Sequence, residues 1–405
     1  MTGIAVSPDP FTATGPGERL AAYRQLSAPP GLRQIDTPDG RRAWLVTDYA
    51  QVRAVLGDPR LTKLLSPTSA TADRLLPDIA SALTQHMLAV DGSEHSRLRR
   101  LVNTAFTPRR IERLGPRIQE IADQLLDGLS RRARAGTVID LLADYAFPLP
   151  MTVICELVGV PEGDREDFRR WTNVMVGATF ADPDAFREAA TALVGYVREL
   201  IAIRRAQPAD DLLSALVAAR DGGDRLSEDE LTSMVWVLVL AGHETTVNLI
   251  ANGVFALLTQ PEQLARLRGR SELIGTCVEE LLRVASPVHV AVPLVATEDV
   301  EIGGVGIQAG ELVLPSLMAA NNDPRRVADP DALDIGREHN PHMAFGHGIH
   351  YCLGAPLARL EARIALGSLL DRFPDLSLAV PPEMISWRPS YILNGPVDLP
   401  IKLAP

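Results

Sequence analysis

Phe345-Gly346-His347-Gly348-Ile349-His350-Tyr351-Cys352-Leu353-Gly354 is the stretch on which the reading of this 405-residue chain turns. Its glycines, at 346, 348 and 354, permit tight turns and a close approach of backbone to a flat ligand. Cys352 stands just before Leu353-Gly354-Ala355, where a helical pattern begins. Backbone N–H groups at a helix N-terminus favour a thiolate over a thiol. A zinc reading of His342, His347, His350 and Cys352 fits poorly. Zinc sites favour repeated Cys-x-x-Cys or helical His spacings, which are absent, and the glycines would go unexplained. A thiolate held beside backbone N–H groups is instead what an axial haem ligand needs.

Upstream, Ser227-Glu228-Asp229-Glu230 reads as a capping box, and no proline follows until Pro261. The implied helix is about thirty residues long, or roughly 45 Å at 1.5 Å per residue. Such a rod would cross the whole molecule and argues against a split into domains. An apolar run, Met234 to Ala241, gives way to Gly242-His243-Glu244-Thr245-Thr246 before apolar residues resume. Polar groups inside a buried helix need partners, so this interruption marks either a kink with satisfied hydrogen bonds or a groove that meets a ligand. The groove is the favoured reading.

Elsewhere, Ala43 to Thr47 reads as a strand and Asp48 to Leu56 as a short helix. From about Arg97 to Leu216 the pattern is mostly helical, with Ile118, Ile121, Ala122, Leu125, Leu126 and Leu129 at three- and four-residue steps. Short strands are expected at Val300–Ile302 and Glu311–Leu314, and extended pieces in Ser386–Leu403. Breaks at 28–31, 207–209 and 221–224 are local and none reads as a tether. Length alone would allow two or three domains. The reading here is a single domain over residues 1–405, mainly α with small β-sheets, with residues 1–20 loosely ordered.

The cysteine loop resembles the haem-binding loop of the cytochrome P450 family, with Phe345, Gly348, His350, Cys352 and Gly354 in register. Other motifs of that family follow in order. Glu280-Leu281-Leu282-Arg283 is similar to its Glu-x-x-Arg helix, and Arg337 to the arginine that completes that structural network. The two side chains at i, i+3 share a face and can pair. His95 and Arg99, at i, i+4, resemble the pair that binds a haem propionate, with His350 as a third partner. Ala241, Gly242, Glu244 and Thr245 resemble the oxygen-binding groove, where Gly242 leaves room beside the iron. Glu244 and Thr245 there form the catalytic acid–alcohol pair. One position departs: Leu294 stands where relatives usually carry an arginine for a propionate.

The resemblance covers nearly the whole chain and implies the cytochrome P450 fold of a bacterial, actinobacterial-type enzyme. It implies haem b held by Cys352 and the contact residues His95, Arg99, Ala241, Gly242, Phe345, Gly346, His350 and Gly354. The activity implied is a monooxygenase that inserts one oxygen atom into a C–H bond of a large hydrophobic secondary metabolite, a polyketide or macrolide, terpenoid or steroid. Phenol coupling, ring expansion, peroxide-driven oxidation and non-catalytic ligand binding remain the alternatives. Substrate contacts are expected from four segments: 75–90, 171–180, 288–294 and 392–393. Electrons would come from a ferredoxin and ferredoxin reductase.

Composition is that of a globular protein, 46% hydrophobic and 22% charged. A net charge of −11 argues against nucleic acid and against an anionic membrane surface. All but two of the forty basic residues are arginine, the exceptions being Lys63 and Lys402. Seven arginines and a single acid, Glu112, lie between Arg97 and Arg117, a local basic patch that reads equally as a solvated helix face or, by the resemblance, as a docking site for an acidic ferredoxin. Three well-separated cysteines, with Cys155 and Cys277 in apolar helical patterns, fit a reducing compartment. No signal pattern opens the chain, and the apolar run 234–241 is too short to span a bilayer. A cytoplasmic monomer is expected.

Overall fold

The computed structural model describes residues 9–27, 31–63, 75–104, 106–133, 137–177, 182–221 and 225–403. The first helices are α1 (Glu18–Leu26), α2 (Tyr49–Gly57), α3 (Pro77–Thr84), α4 (Gly92–Asn103) and α5 (Pro108–Arg113). Then come α6 (Gly115–Arg132), α7 (Pro148–Val158), α8 (Arg165–Gly177), α9 (Pro183–Ala206) and α10 (Leu212–Asp221). The last are α11 (Glu228–Leu258), α12 (Pro261–Gly269), α13 (Ile274–Val284), α14 (Leu317–Asn321) and α15 (Ala355–Arg372).

The main sheet runs in the order β1 (Leu32–Asp36), β2 (Arg42–Val46), β8 (Leu312–Pro315), β5 (Leu294–Ala296), β3 (Leu61–Lys63). Only β2 and β8 are parallel. A smaller sheet pairs β10 (Pro400–Leu403) with β4 (Thr137–Asp140) and β9 (Ser377–Leu378). β6 (Val300–Ile302) and β7 (Val305–Ile307) form a hairpin. Its turn carries Gly303 and Gly304 at φ of 57° and 80°, a pairing of left-handed residues that suits the strand twist.

α11 is the axis of the helical part. Ser227 accepts the N–H of Glu230 at 3.1 Å and Glu230 accepts the N–H of Ser227 at 2.7 Å, so the expected capping box is present. The helix runs 31 residues and packs against α3, α7, α9, α13 and α15. α6 shows how its neighbours dock. Ile118, Ile121, Ala122, Leu126 and Leu129 are buried on one stripe, and α6 lies against α7 and α15. Each fully buried Leu or Ile contributes about 1.5–3 kcal/mol.

The span 97–216 is mostly helical, as expected, and β4 and a π-turn over Leu142–Ala146 interrupt it. The partner of β4 is β10, some 260 positions away, so no local pattern announces it. Residues 9–20 are not loose: Phe11 is 2% exposed and stacks on Tyr391, and the buried Arg19 bonds Asn394 Oδ1 at 2.6 Å. Residues 1–8 and the breaks at 28–30 and 222–224 lie outside the described residues. Finally, α11 as a whole is long and apolar enough to cross a membrane, but 78% of its most apolar window is buried inside this fold.

Candidate active site

The cysteine loop is held from both sides. Cys352 N–H donates to Phe345 O at 3.0 Å and Tyr351 N–H to Gly348 O at 3.1 Å, closing a turn over Gly348–His350. Met343 N–H donates to Asn321 Oδ1 at 2.6 Å, which ties the loop to α14. Gly346 and Gly348 adopt φ of 73° and 75°. A Cβ on Gly348 would sit 2.6 Å from the carbonyl oxygen of Leu56, so only glycine lets the loop approach α2. The Phe345 ring lies under the Arg359 guanidinium at 4.4 Å, and Arg359 in turn grips Glu279 with two bonds of 2.7 and 2.8 Å.

Cys352 is solvent-accessible and yet deep among protein atoms, as a group facing an internal cleft would be. Burial raises its thiol pKa, against the pull of N–H groups of Gly354 and Ala355 and the charges of Arg99 and Arg359. The start of α15 therefore does favour the thiolate, as the sequence implied, but desolvation outweighs it in the protein alone. Metal coordination is what deprotonates such a sulfur outright. Cys155 and Cys277 are fully buried and pushed up to about 12 by desolvation, as expected of core thiols.

On α4, His95 and Arg99 do share a face. His95 is buried, with both ring nitrogens lacking a hydrogen-bond partner among the described residues, and burial lowers its pKa to about 4. Its ring lies 4.4 Å from that of His350, whose Nε2 bonds Asp91 Oδ1 at 2.6 Å. Among the described residues the half-buried Arg99 guanidinium makes no hydrogen bond or ion pair, and it interacts electrostatically with Cys352. A guanidinium and a buried imidazole left without protein partners suit an acidic ligand, so this corner fits the carboxylates of haem. Leu294 is buried in β5 and makes no such contribution.

The polar interruption does not break α11, which stays helical through it. Much of the cluster satisfies itself internally. Thr245 Oγ1 donates to Ala241 O at 2.7 Å, Thr246 Oγ1 to Gly242 O at 3.1 Å, and His243 Nδ1 bonds Val239 O at 2.8 Å. What remains is an opening: Ala241 is exposed and Gly242 and Thr245 are half-buried, midway along a helix whose flanking turns are buried. A Cβ on Gly242 would press on Ile154 at 3.2 Å. Glu244 is buried and accepts from Arg388 Nη1 at 2.8 Å. Arg388, half exposed, links the acid to the surface. No local signal points to this pair, since 144 positions separate the two.

The structural network is present as expected. Arg283 donates to both oxygens of Glu280 at 2.8 and 2.9 Å, with neither side chain exposed. Arg337 Nε reaches both oxygens at 3.1 Å, and Asn340 and the backbone of Asp334 complete the carboxylate's shell. The zinc reading fails on geometry among the described residues. His342 bonds Glu279, His350 bonds Asp91, and His347 approaches Arg53. The basic patch is smaller than its sequence: Arg97 pairs with Glu230, Arg110 with Asp210, and Arg117 with Glu120 and Glu156. Arg109 and Arg113 are exposed. Two of the four substrate segments do meet, where Val288 bridges Leu393 and His289 N–H donates to Ile392 O at 2.9 Å. Residues 178–180 of another lie outside the described residues.

The sequence model of the family described as Cytochrome P450 matches residues 167–394. Among curated relatives, cytochrome P450 107B1 of Saccharopolyspora erythraea is 48% identical, with 95% of each chain covered. Mycinamicin IV hydroxylase/epoxidase of Micromonospora griseorubida is 44% identical over 94% of each. Among solved structures, the tirandamycin C-bound P450 monooxygenase TamI has a TM-score of 0.86 and 44% identity, covering 95% of this chain and 97% of its own. The chain belongs to the cytochrome P450 family and is a haem b monooxygenase.

Proposed function

We propose that this enzyme inserts one oxygen atom into a C–H bond of a large hydrophobic secondary metabolite, of the polyketide or macrolide, terpenoid or steroid class. The observation that carries the reading is a deep but accessible sulfur in a molecule whose longest buried helix opens at Ala241, Gly242 and Thr245. TamI bound to tirandamycin C and the hydroxylase of mycinamicin IV support the size and class of substrate. Half-buried apolar side chains at Met87, Leu88, Val90, Val288, Ile392 and Leu393 supply walls of that chemistry.

Cys352 would bind the iron, while His95, Arg99 and His350 would hold the propionates. Phe345, Gly346 and Gly354 shape the sulfur side, and Ala241 and Gly242 the opposite face. Haem, when bound, supplies dioxygen binding and O–O cleavage, chemistry the side chains cannot perform. The protein's task is orientation and proton supply. Thr245 donates to Ala241 O in the resting arrangement, so a small rotation frees its O–H toward the opening. Glu244, the next residue on α11, is buried and anchored at the half-exposed Arg388, and a carboxylate so held could pass a proton on toward that hydroxyl.

Electrons would come from a ferredoxin and its reductase. Exposed Arg109 and Arg113 lie on α5, which packs against α15, the helix that starts just past Cys352. The protein would act as a cytoplasmic monomer.

The test is spectroscopic. The ferrous carbonyl complex is expected to show the red-shifted Soret band of thiolate ligation, and Cys352→Ser to lose it. A Cys352→Ser protein that keeps the band would overturn the ligand assignment. With an acidic ferredoxin supplying electrons, Thr245→Ala is expected to release peroxide in place of product; unchanged coupling would remove Thr245 from the proton path.

A further inference from the structure

Register places a lysine where the arginine is missing. β3 and β5 pair antiparallel with Lys63 directly opposite Leu294 and Leu61 opposite Ala296. Directly opposed residues point to the same face, with Cβ atoms about 4.5–5.5 Å apart. Leu61, Leu294 and Ala296 are all buried on that face, so the two-residue period of the strand turns Lys63 inward with them. This is one of only two lysines in a chain that otherwise uses arginine for positive charge.

The neighbours of Lys63 are the cationic corner. Asp91 Oδ2 accepts its backbone N–H at 2.7 Å, while the other oxygen of Asp91 bonds His350 Nε2 at 2.6 Å. One carboxylate thus ties β3 to the cysteine loop. The charge of Lys63 is felt by both His95 and His350. Among the described residues its ammonium makes no ion pair, and burial lowers its pKa to about 8. A half-buried ammonium with no ion pair among the described residues is costly, and an anion brought beside it would offset that cost. Lysine offers three donors on a flexible four-carbon stem, so it can serve from the neighbouring strand a carboxylate that an arginine would have reached from β5.

We propose that Lys63 replaces the arginine absent at 294 as a ligand of one haem propionate, a division of labour across the β3–β5 ladder. The proposal rests on the haem-thiolate reading above. It makes Lys63 a cofactor-holding residue, and it makes Leu294 and Lys63 an exchangeable pair.

The experiment measures haem transfer from the holoenzyme to excess apomyoglobin, together with the ferric/ferrous midpoint potential. Lys63→Leu is expected to lose haem about tenfold or more faster, the size of a charged hydrogen bond. Its potential should fall, because the propionate's negative charge is left unneutralised near the iron. Lys63→Arg, which keeps the charge, should stay within about threefold of wild type, and Lys63→Leu/Leu294→Arg should recover most of the loss. A merely structural lysine would not be rescued from position 294. Wild-type haem loss in Lys63→Leu, or a double variant no better than the single one, overturns the proposal. A wild-type protein without the thiolate carbonyl band overturns both readings; that band with unchanged haem loss in Lys63→Leu overturns only this one.

Discussion

Around Glu280 every charge has found a protein partner, whereas around His95 the same kinds of group are left wanting. The Glu280 carboxylate receives Arg283, Arg337, Asn340 and a backbone N–H, and Arg283 spends its other donors on Pro330 O and Ala332 O. The His95 corner gathers a lysine, an arginine and two histidines around a single carboxylate, Asp91. A closed network specifies a fold; an open one specifies a guest. The difference is invisible in residue type and appears only when hydrogen bonds are followed to their ends.

That contrast can be broken by substitution. Glu280→Ala should have the largest effect, because it strands two arginines, one of them wholly buried; a loss of about 3–5 kcal/mol is expected from urea unfolding. A loss under about 1 kcal/mol would mean the network relaxes and is not closed in the sense argued. Arg99→Leu should do the opposite. Helix content by circular dichroism should be unchanged, while haem retention falls about tenfold. Loss of helix content in that variant would place Arg99 among the fold-specifying charges. The smallest effect belongs to Arg132, whose side chain is half exposed in its pair with Asp144. Arg132→Ala is expected to leave the unfolding midpoint unmoved.

What could be read from the sequence divides along the same line. The ends of α11 were legible because a capping box and a proline are local signals. The cysteine loop was legible because its glycines and aromatic residue crowd into ten positions. The family's order of motifs placed Glu280, Arg283 and Arg337, and they do converge. Lys63, Arg388 and β4 were not legible, since each acquires its meaning from a strand or side chain distant in sequence. The arginines of 97–117 were only partly legible, for the converse reason. Adjacent in sequence, they read as one field, but the fold brings Glu230, Asp210 and Glu156 to three of them.

The N-terminal segment carries a consequence for how the molecule is assembled. Arg19 bonds Asn394 across 375 positions, Trp387 N–H donates to Thr14 O at 2.6 Å, and Phe11 stacks on Tyr391. During synthesis the first of these residues must wait for nearly four hundred others before its companion exists. Contacts of such separation form slowly. The strip bearing Ile392 and Leu393 is synthesised after every helix of the fold, so the wall it supplies cannot be in place until the chain is nearly complete.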